Sequence, residues 1–329
     1  MPVFRLSVIV FVLMMAGCTT QAARQDPVDS ADLEAFANTM ADRHGMDANA
    51  IAALLNDEAV HQQEIIDAIS SPAEALPWYR YRRIFLTQDR IEAGLEYWQA
   101  HAALLDAVHA RYGVPAEIVV AIIGVETRYG RYRGRHRVID ALRTLAFAYP
   151  PRADFFRSEL EAFLILANEE GIDPREPLGS YAGAMGVPQF ISSSYRAYAV
   201  DFNNNGRRDL FSEAADIIGS VGHYFAEHGW REAEPIAVPA QVNKSRVDDL
   251  LRASLKPTDT VENLIDAGVK PRQSLAFNQP ARLLALETDN GTAHWVTLNN
   301  FYVITRYNHS PLYAMAVFQL AEAIREAYP

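Results

Sequence analysis

The sequence predicts an α+β protein, a mostly helical body with a small strand-rich lobe inserted late in the chain. Three observations predict it. Apolar residues recur at three- and four-residue steps from about 31 to 231, the period of helices with one buried face. From about 232 to 305 the pattern shifts to short β-branched and aromatic runs separated by turn signals such as Asp289-Asn-Gly291. A helical pattern returns from Leu312 to about Tyr328, which ties the end of the chain to the body as one packed unit.

The chain has 329 residues, enough for one large or two ordinary domains. Half of it is hydrophobic and 22% is charged, a globular balance. The formal net charge of −11 argues against a nucleic-acid partner, which calls for a basic stripe. One basic cluster stands out: Arg128, Arg131, Arg133, Arg135 and Arg137. It reads either as a solvated loop or as an edge that meets an anionic substrate.

At the N-terminus, Arg5 precedes an apolar run from Leu6 to Ala16. That run is too short to span a bilayer as a helix and has the length of a signal-peptide core. It ends in Leu13-Met-Met-Ala-Gly17-Cys18, and Cys18 is the lone cysteine of the chain. A single thiol in an exported protein has no disulfide partner. The segment resembles a bacterial lipoprotein signal, with Met15 where Leu is usual. Residues 1–17 are therefore expected as signal peptide and 18–30 as a polar tether lipidated on Cys18. By the same resemblance, Thr19, rather than Asp, after the cysteine implies the periplasmic face of the outer membrane.

In the body, Leu33, Phe36 and Met40, then Ile65, Ile66 and Ile69, mark helices. The stretch Pro77-Trp-Tyr-Arg-Tyr81-Arg-Arg-Ile-Phe is expected to break that region with exposed aromatics and cations. A further amphipathic helix runs from Gly94 to His109. The next helix opens at Pro115, where the missing N–H costs nothing. Its almost wholly apolar run from Ile118 to Val125 predicts burial. Glu126 closes it. Desolvation and the negative end of the helix dipole would both raise the pKa of such a carboxyl, which suits a general acid. The plain alternative is a solvated charge paired with Arg128. Two more helices are expected at Val138–Ala148 and Ala153–Glu169, and another from Ala214 to His228. Strands are expected at 235–242, 274–278, 282–288, 295–298 and 302–305.

Two further blocks carry chemistry. Gly183-Ala-Met-Gly-Val-Pro-Gln189 gathers small residues where a ligand could lie against backbone. Ser180 and Gln189 offer donors and acceptors suited to an amide or hydroxyl. The glycines could equally serve helix packing. Tyr307-Asn308-His309-Ser310 is a polar cluster expected just after the last strand. The 15 tyrosines supply flat amphipathic rings that stack on sugars or fill cores.

Three blocks together, Gly124-Val-Glu126-Thr-Arg-Tyr-Gly-Arg131, Gly183-Ala-Met-Gly-Val-Pro-Gln-Phe190 with Ser193-Ser-Tyr195, and Arg306-Tyr-Asn-His-Ser310 with Tyr313-Ala-Met-Ala-Val317, resemble the lytic murein transglycosylase B family in order and spacing. The resemblance covers roughly residues 30–329. It implies a lysozyme-like catalytic core with an added helical lobe and the strand-rich lobe. It also implies cleavage of the β-1,4 bond between N-acetylmuramic acid and N-acetylglucosamine with closure of a 1,6-anhydro ring. The catalytic region would then be 31–329, with its helical body at about 31–231, closing segment 306–329 and β-rich lobe at about 232–305. By the same resemblance Glu126 is the single acid/base. Ser180, Gln189 and Asn308 contact the muramoyl residue, and Tyr81, Arg152, Tyr307 and Tyr313 line the cleft for glycan or peptide stem. Pro151 and Phe155 depart from the family pattern beside Arg152. Implied partners are peptidoglycan glycan strands, the outer-membrane lipid anchor and other cell-wall enzymes; catalysis needs no cofactor. The rival readings are a hydrolytic muramidase, with Asp140 or Asp154 as second carboxylate, and a non-catalytic wall-binding lipoprotein.

One motif stands apart. Asp201-x-Asn203-x-Asn205-Gly206-Arg207 has the spacing of an EF-hand start, with side-chain oxygens at positions 1, 3 and 5, Gly at 6 and a carbonyl at 7. The usual bidentate Glu is out of register, and the family resemblance implies Asp216 as the closing ligand. A structural Ca2+ (or Na+) and a metal-free Asn-rich turn both remain open.

Overall fold

The computed structural model describes residues 28–56, 62–70, 75–243, 248–251 and 254–329. The expected signal peptide, Cys18 and the tether up to residue 27 lie outside the described residues. Among those described, no single helix is long and apolar enough to cross a membrane.

The helices follow the apolar periodicity: α1 (Ser30–His44), α2 (Ala48–Asn56), α3 (Gln62–Ile69), α4 (Trp78–Phe85), α5 (Gln88–Tyr112), α6 (Ala116–Thr127), α7 (Val138–Ala148), α8 (Ala153–Glu170), α9 (Ser192–Tyr198) and α10 (Ala214–Glu227). A two-stranded ribbon, β1 (His136–Arg137) with β2 (Leu178–Gly179), is antiparallel and pairs His136 with Gly179. After the second lobe, α12 (Asn299–Tyr307) and α13 (Pro311–Ala327) return to the body.

Two apolar cores result. One surrounds α6, whose residues from Ile118 to Ile123 are all at most 2% exposed, with α5, α10, α12 and α13 packed around it. A helix apolar on every side has no solvent face and must sit at the centre. The other core joins α1, α2, α3, α7 and α8 to the small-residue segment around Met185 and Phe190. The lobe is an antiparallel five-stranded sheet of order β4-β6-β7-β3-β5, from β3 (Ala237–Val242), β4 (Asp259–Thr260), β5 (Val269–Pro271), β6 (Pro280–Thr288) and β7 (Gly291–Thr297). The short helix α11 (Val261–Asp266) covers its own small core with Leu264 and Val261.

Three expectations fail here. The stretch after Pro77 is the helix α4, with Trp78 and Tyr81 at 3% and 1% exposure; Trp78, Tyr81 and Phe85 form one stripe at three- and four-residue steps, and Ile84 and the arginines face outward. Residues 274–278 form no strand, and Phe277 is 64% exposed there. Residues 302–305 lie inside α12 instead of a strand. The buried Asn300 amide donates to the carbonyls of Arg231 and Glu234 and its oxygen accepts from Arg231 N, and Phe301 and Ile304 bury one turn apart on the core.

Candidate active site

Glu126 stands at the last turn of α6, half-buried, where the helix leaves the core. The helix stops there because Arg128, Tyr129 and Gly130 all take left-handed backbone angles, φ 48°, 61° and 84°. Only Gly adopts that region without cost, so the turn is held by its surroundings. The Arg90 guanidinium, 7% exposed, donates to Gly124 O at 3.1 Å, and Tyr129 Oη donates to Arg90 O at 2.8 Å. Burial, then nearby Arg128, lowers the Arg90 pKa from its usual value, yet a guanidinium keeps its charge at neutral pH. A cation at the C-terminal end of a helix is favourably placed against the dipole. Gly124 is required where it stands: a Cβ there would meet Tyr129 Oη at 2.5 Å.

Two tyrosines face the carboxylate from the far end of the chain. Tyr313 donates its hydroxyl to Glu126 Oε1 at 2.5 Å. The first turn of α13 fixes it, with Pro311 at the start and Ser310 Oγ accepting from Tyr313 N at 3.3 Å. The Tyr307 ring lies nearly parallel to it, 6.4 Å away at 11°, and its hydroxyl donates to Pro188 O at 2.6 Å. Burial first, then the Glu126 carboxylate, raises the pKa of both phenols well above the ordinary value. Both are therefore O–H donors at neutral pH.

The opposite wall is the small-residue segment. Thr127 Oγ1 donates to Val187 O at 2.9 Å and accepts from Gly130 N at 3.0 Å, stitching the end of α6 to it. Ser180 Oγ accepts from Ala182 N and Ala184 N at 3.2 and 3.1 Å, which uses its lone pairs and leaves its O–H to donate. Gln189, at φ 52°, donates Nε2 to Gly186 O at 2.8 Å and Arg133 O at 3.2 Å. Its amide nitrogen thus braces the loop, and its oxygen is the group left for a ligand.

The remaining predicted residues come from α4, the turn before α8 and the turn between α12 and α13. Asn308 is half-buried and extended at the end of α12, between Tyr307 and Tyr313. Arg152 is exposed in the turn before α8, its guanidinium 4.3 Å from the centre of the Phe155 ring; Phe155, a departure from the family pattern, is thus a cation–π partner. Burial, then Arg306 and Arg152, lowers the His309 pKa. Tyr81, expected to line the cleft, is 1% exposed, packs its ring 5.1 Å from Phe85 and lies near enough to Tyr313 to add to the rise of its pKa. Tyr313 is 2% exposed and presents its hydroxyl, not its ring face, to Glu126. The Tyr307–Ser310 cluster follows a helix, not a strand. Arg90 had no signal in the sequence, and Thr127 showed only as a member of the first block, since both act through backbone atoms distant in the chain. Of the rival carboxylates, Asp140 is 6% exposed and clasped by Arg137 through two bonds of 2.7 and 2.9 Å, while Asp154 is exposed at the start of α8.

The EF-hand-like loop closes on itself. Asp201 accepts from Asn205 N at 2.9 Å and Gly206 N at 2.7 Å; Asn203 Oδ1 accepts from Asn205 N and Asn205 Oδ1 from Arg207 N. Asp216, 0% exposed, accepts from Phe202 N at 2.8 Å and Asp209 N at 2.9 Å. Among the described residues no group of three or more His, Cys, Asp or Glu side chains gathers as a metal site. A carboxylate oxygen accepts more than one partner, so two carboxylates, two amide oxygens and the Arg207 carbonyl fit a weakly held hard cation.

Residues 29–322 match the transglycosylase SLT domain family. The chain is 40% identical over 309 residues to the membrane-bound lytic murein transglycosylase B of Escherichia coli K12, spanning 91% of this chain and 84% of that protein. The crystal structure of the soluble lytic transglycosylase SltB1 from Pseudomonas aeruginosa matches 90% of this chain and 99% of its own with a TM-score of 0.84 and 46% identity. The E. coli lytic transglycosylase Slt35, solved in complex with calcium, matches 90% and 93% with a TM-score of 0.82 and 41% identity. These matches span the α6 turn, the small-residue wall and the paired tyrosines alike, and the chain belongs to the lytic murein transglycosylase B family: it is a lyase that acts on peptidoglycan.

Proposed function

We propose that Glu126 alone serves as acid and then base in cleaving the β-1,4 bond between N-acetylmuramic acid and N-acetylglucosamine. The observation that carries this is the Tyr313 hydroxyl held 2.5 Å from Glu126 Oε1, a donor aimed at the one place where negative charge appears between the two steps. In the first step the Glu126 carboxyl gives its proton to the glycosidic oxygen as the C1–O bond breaks. The 2-acetamido oxygen of the muramoyl residue attacks C1 and takes the part of the second carboxylate of ordinary glycosidases. In the second, the Glu126 carboxylate removes the proton of the C6 hydroxyl, O6 closes on C1, and the acetamido oxygen leaves. Tyr313 stabilises the carboxylate between these steps. Ser180 O–H and Gln189 Oε1 are placed to bind the acetamido or neighbouring hydroxyl groups. The Arg137 clasp on Asp140 favours this one-carboxyl scheme over hydrolysis.

Mass spectrometry of soluble products from purified sacculi tests the reading: the muropeptides are expected 18 mass units lighter than their hydrolysed counterparts, on the order of one water lost per cleavage. Products carrying a reducing muramic acid end would establish a muramidase instead, and an absence of products a binding protein.

Two features of setting belong to the same reading. The lipoprotein-like signal and the membrane-bound description of the E. coli relative support a lipid anchor on Cys18 at the periplasmic face of the outer membrane. A Cys18→Ser form is expected in the soluble fraction; its persistence in outer membranes would remove the anchor from the account. The loop from Asp201 to Asp216 would hold Ca2+ as a structural ion only, as the calcium complex of Slt35 suggests. With two carboxylates its affinity should be weak, on the order of 10⁻⁴–10⁻³ M. Calorimetric titration should show a chelator-sensitive signal in that range, and a flat titration would favour the metal-free turn.

A further inference from the structure

A cavity of about 690 Å3 opens on the other side of the loop that follows α6. Its lining includes neither Glu126 nor Ser180, Gln189, Tyr307 or Tyr313. It lies between that loop, the end of α8, the approach to β2 and the segment 207–211. Its volume is that of a small-ligand pocket, within the usual range of roughly 300–1,000 Å3.

Its charges are unequal. Arg131, Arg133, Arg207 and Arg208 face Glu170, Glu176 and Asp209. Arg208 is paired with Glu170, and Arg207 lies 3.7 Å from Asp209. That leaves two guanidinium groups against Glu176. Arg133 is fixed but not neutralised, for its donors go to the carbonyls of Gly130 at 3.1 Å and Phe211 at 2.5 Å. Arg131 is exposed and makes no ion pair among the described residues. The rest of the wall is apolar, from Ile172, Phe211 and Leu178, the last 47% exposed. In a chain of net charge −11, a cavity with surplus guanidinium and an apolar floor suits a ligand with carboxylates and small apolar side chains. Guanidinium is the group that meets a carboxylate through two parallel bonds.

The cavity is also coupled to the site. Gly130 stands four positions after Glu126, and the Gln189 amide that braces the small-residue wall donates to Arg133 O. Arg152, the other basic candidate, lies beyond the opposite end of α8, about 27 Å away along an 18-residue helix. We propose that this cavity docks the carboxylate-bearing peptide of a peptidoglycan strand, with Arg131 and Arg133 as its anion-binding pair. The proposal rests on the functional reading above, which supplies a polymer that carries such peptides past Glu126.

Two measurements decide it on the full-length protein. The first is the ratio of kcat/KM on peptide-bearing glycan strands to that on strands stripped of peptide by an amidase. Arg131→Gln should lower this ratio about three- to tenfold, the effect of one partly exposed charge-assisted contact. Arg133→Lys, which keeps the charge but loses the two carbonyl bonds that fix it, should lower it in the same direction. The second is calorimetry with the free stem tetrapeptide, its C-terminally amidated form and inorganic phosphate. The free peptide should bind more weakly to Arg131→Gln, and both the amidated form and phosphate more weakly than the free peptide to the wild type. An unchanged ratio in both variants, or phosphate binding as well as peptide, would overturn the proposal. Failure of the wild type to cleave either polymer would instead overturn the enzymatic reading, and calorimetry would still decide on the cavity.

Discussion

Glu126→Gln should lose essentially all murein cleavage, with kcat lower by about 10³-fold or more, while the protein folds and melts as the wild type does. A positioned acid or base contributes typically 10²–10⁴, and here one group would serve both steps. The amide is nearly isosteric with the carboxyl. Its oxygen can still accept the Tyr313 hydroxyl, now 2.5 Å from Oε1, so the wall of Tyr307 and Tyr313 need not move. What it cannot do is carry a proton out and back. Release of soluble muropeptides from sacculi gives the rate, and thermal denaturation gives the fold. A residual rate within tenfold of wild type at normal melting temperature would rule Glu126 out as acid/base. Tyr313→Phe is the graded counterpart: it removes one hydrogen bond to a charged group, about 1.5–3 kcal/mol, and should slow turnover roughly 10- to 100-fold without the complete loss.

The fold was readable wherever one period ruled a long stretch. The uniform apolar run of α6 announced its burial, and the helical patterns of α8 and α10 placed their ends within a residue. The failures share a cause. Tyr302-Val-Ile-Thr305 has the composition of a strand, and it forms a helix because Asn300 binds the 231–234 turn from 66 to 69 residues away. Tertiary contacts override a preference worth a fraction of a kcal/mol per residue. In α4 the signal was present, for Trp78, Tyr81 and Phe85 keep a helical step, but the intervening arginines masked it.

The site was readable one residue at a time and not as an arrangement. Glu126 was conspicuous from its own helix. That Tyr313, 187 residues later, donates to it has no trace in local pattern. Family likeness named Tyr81, Ser180 and Gln189, yet not what each does: Tyr81 sits buried near Tyr313, and Gln189 spends its nitrogen on the loop. Arg90 looked like any charge on an amphipathic helix. Its role exists because α5 and α6 pack so that a guanidinium meets a helix end.

Gly134→Ala should be among the most damaging single substitutions in the chain, for reasons separable from backbone strain. At φ 96° a Cβ would lie 1.9 Å from Gly179 O, 2.0 Å from its carbonyl carbon and 2.6 Å from Ser180 N. All three are backbone, two of them in the β1–β2 ribbon that pairs His136 with Gly179 and the third just after it, so no side chain can swing aside. Gly229 offers the control: its φ is 83° and a Cβ there meets nothing within 4 Å. Gly229→Ala thus carries the left-handed cost alone, about 1–2 kcal/mol. Gly134→Ala adds displacement of the ribbon, and the total should exceed about 3 kcal/mol, a fall in Tm of roughly 6–12 °C at about 2–4 °C per kcal/mol. Activity should fall further than stability, because the displaced backbone carries Ser180 and with it one wall of the Glu126 cleft. Equal Tm values for the two variants would mean that the loop yields without moving the ribbon, and the rigid coupling between the arginine loop and the substrate wall would have to be abandoned.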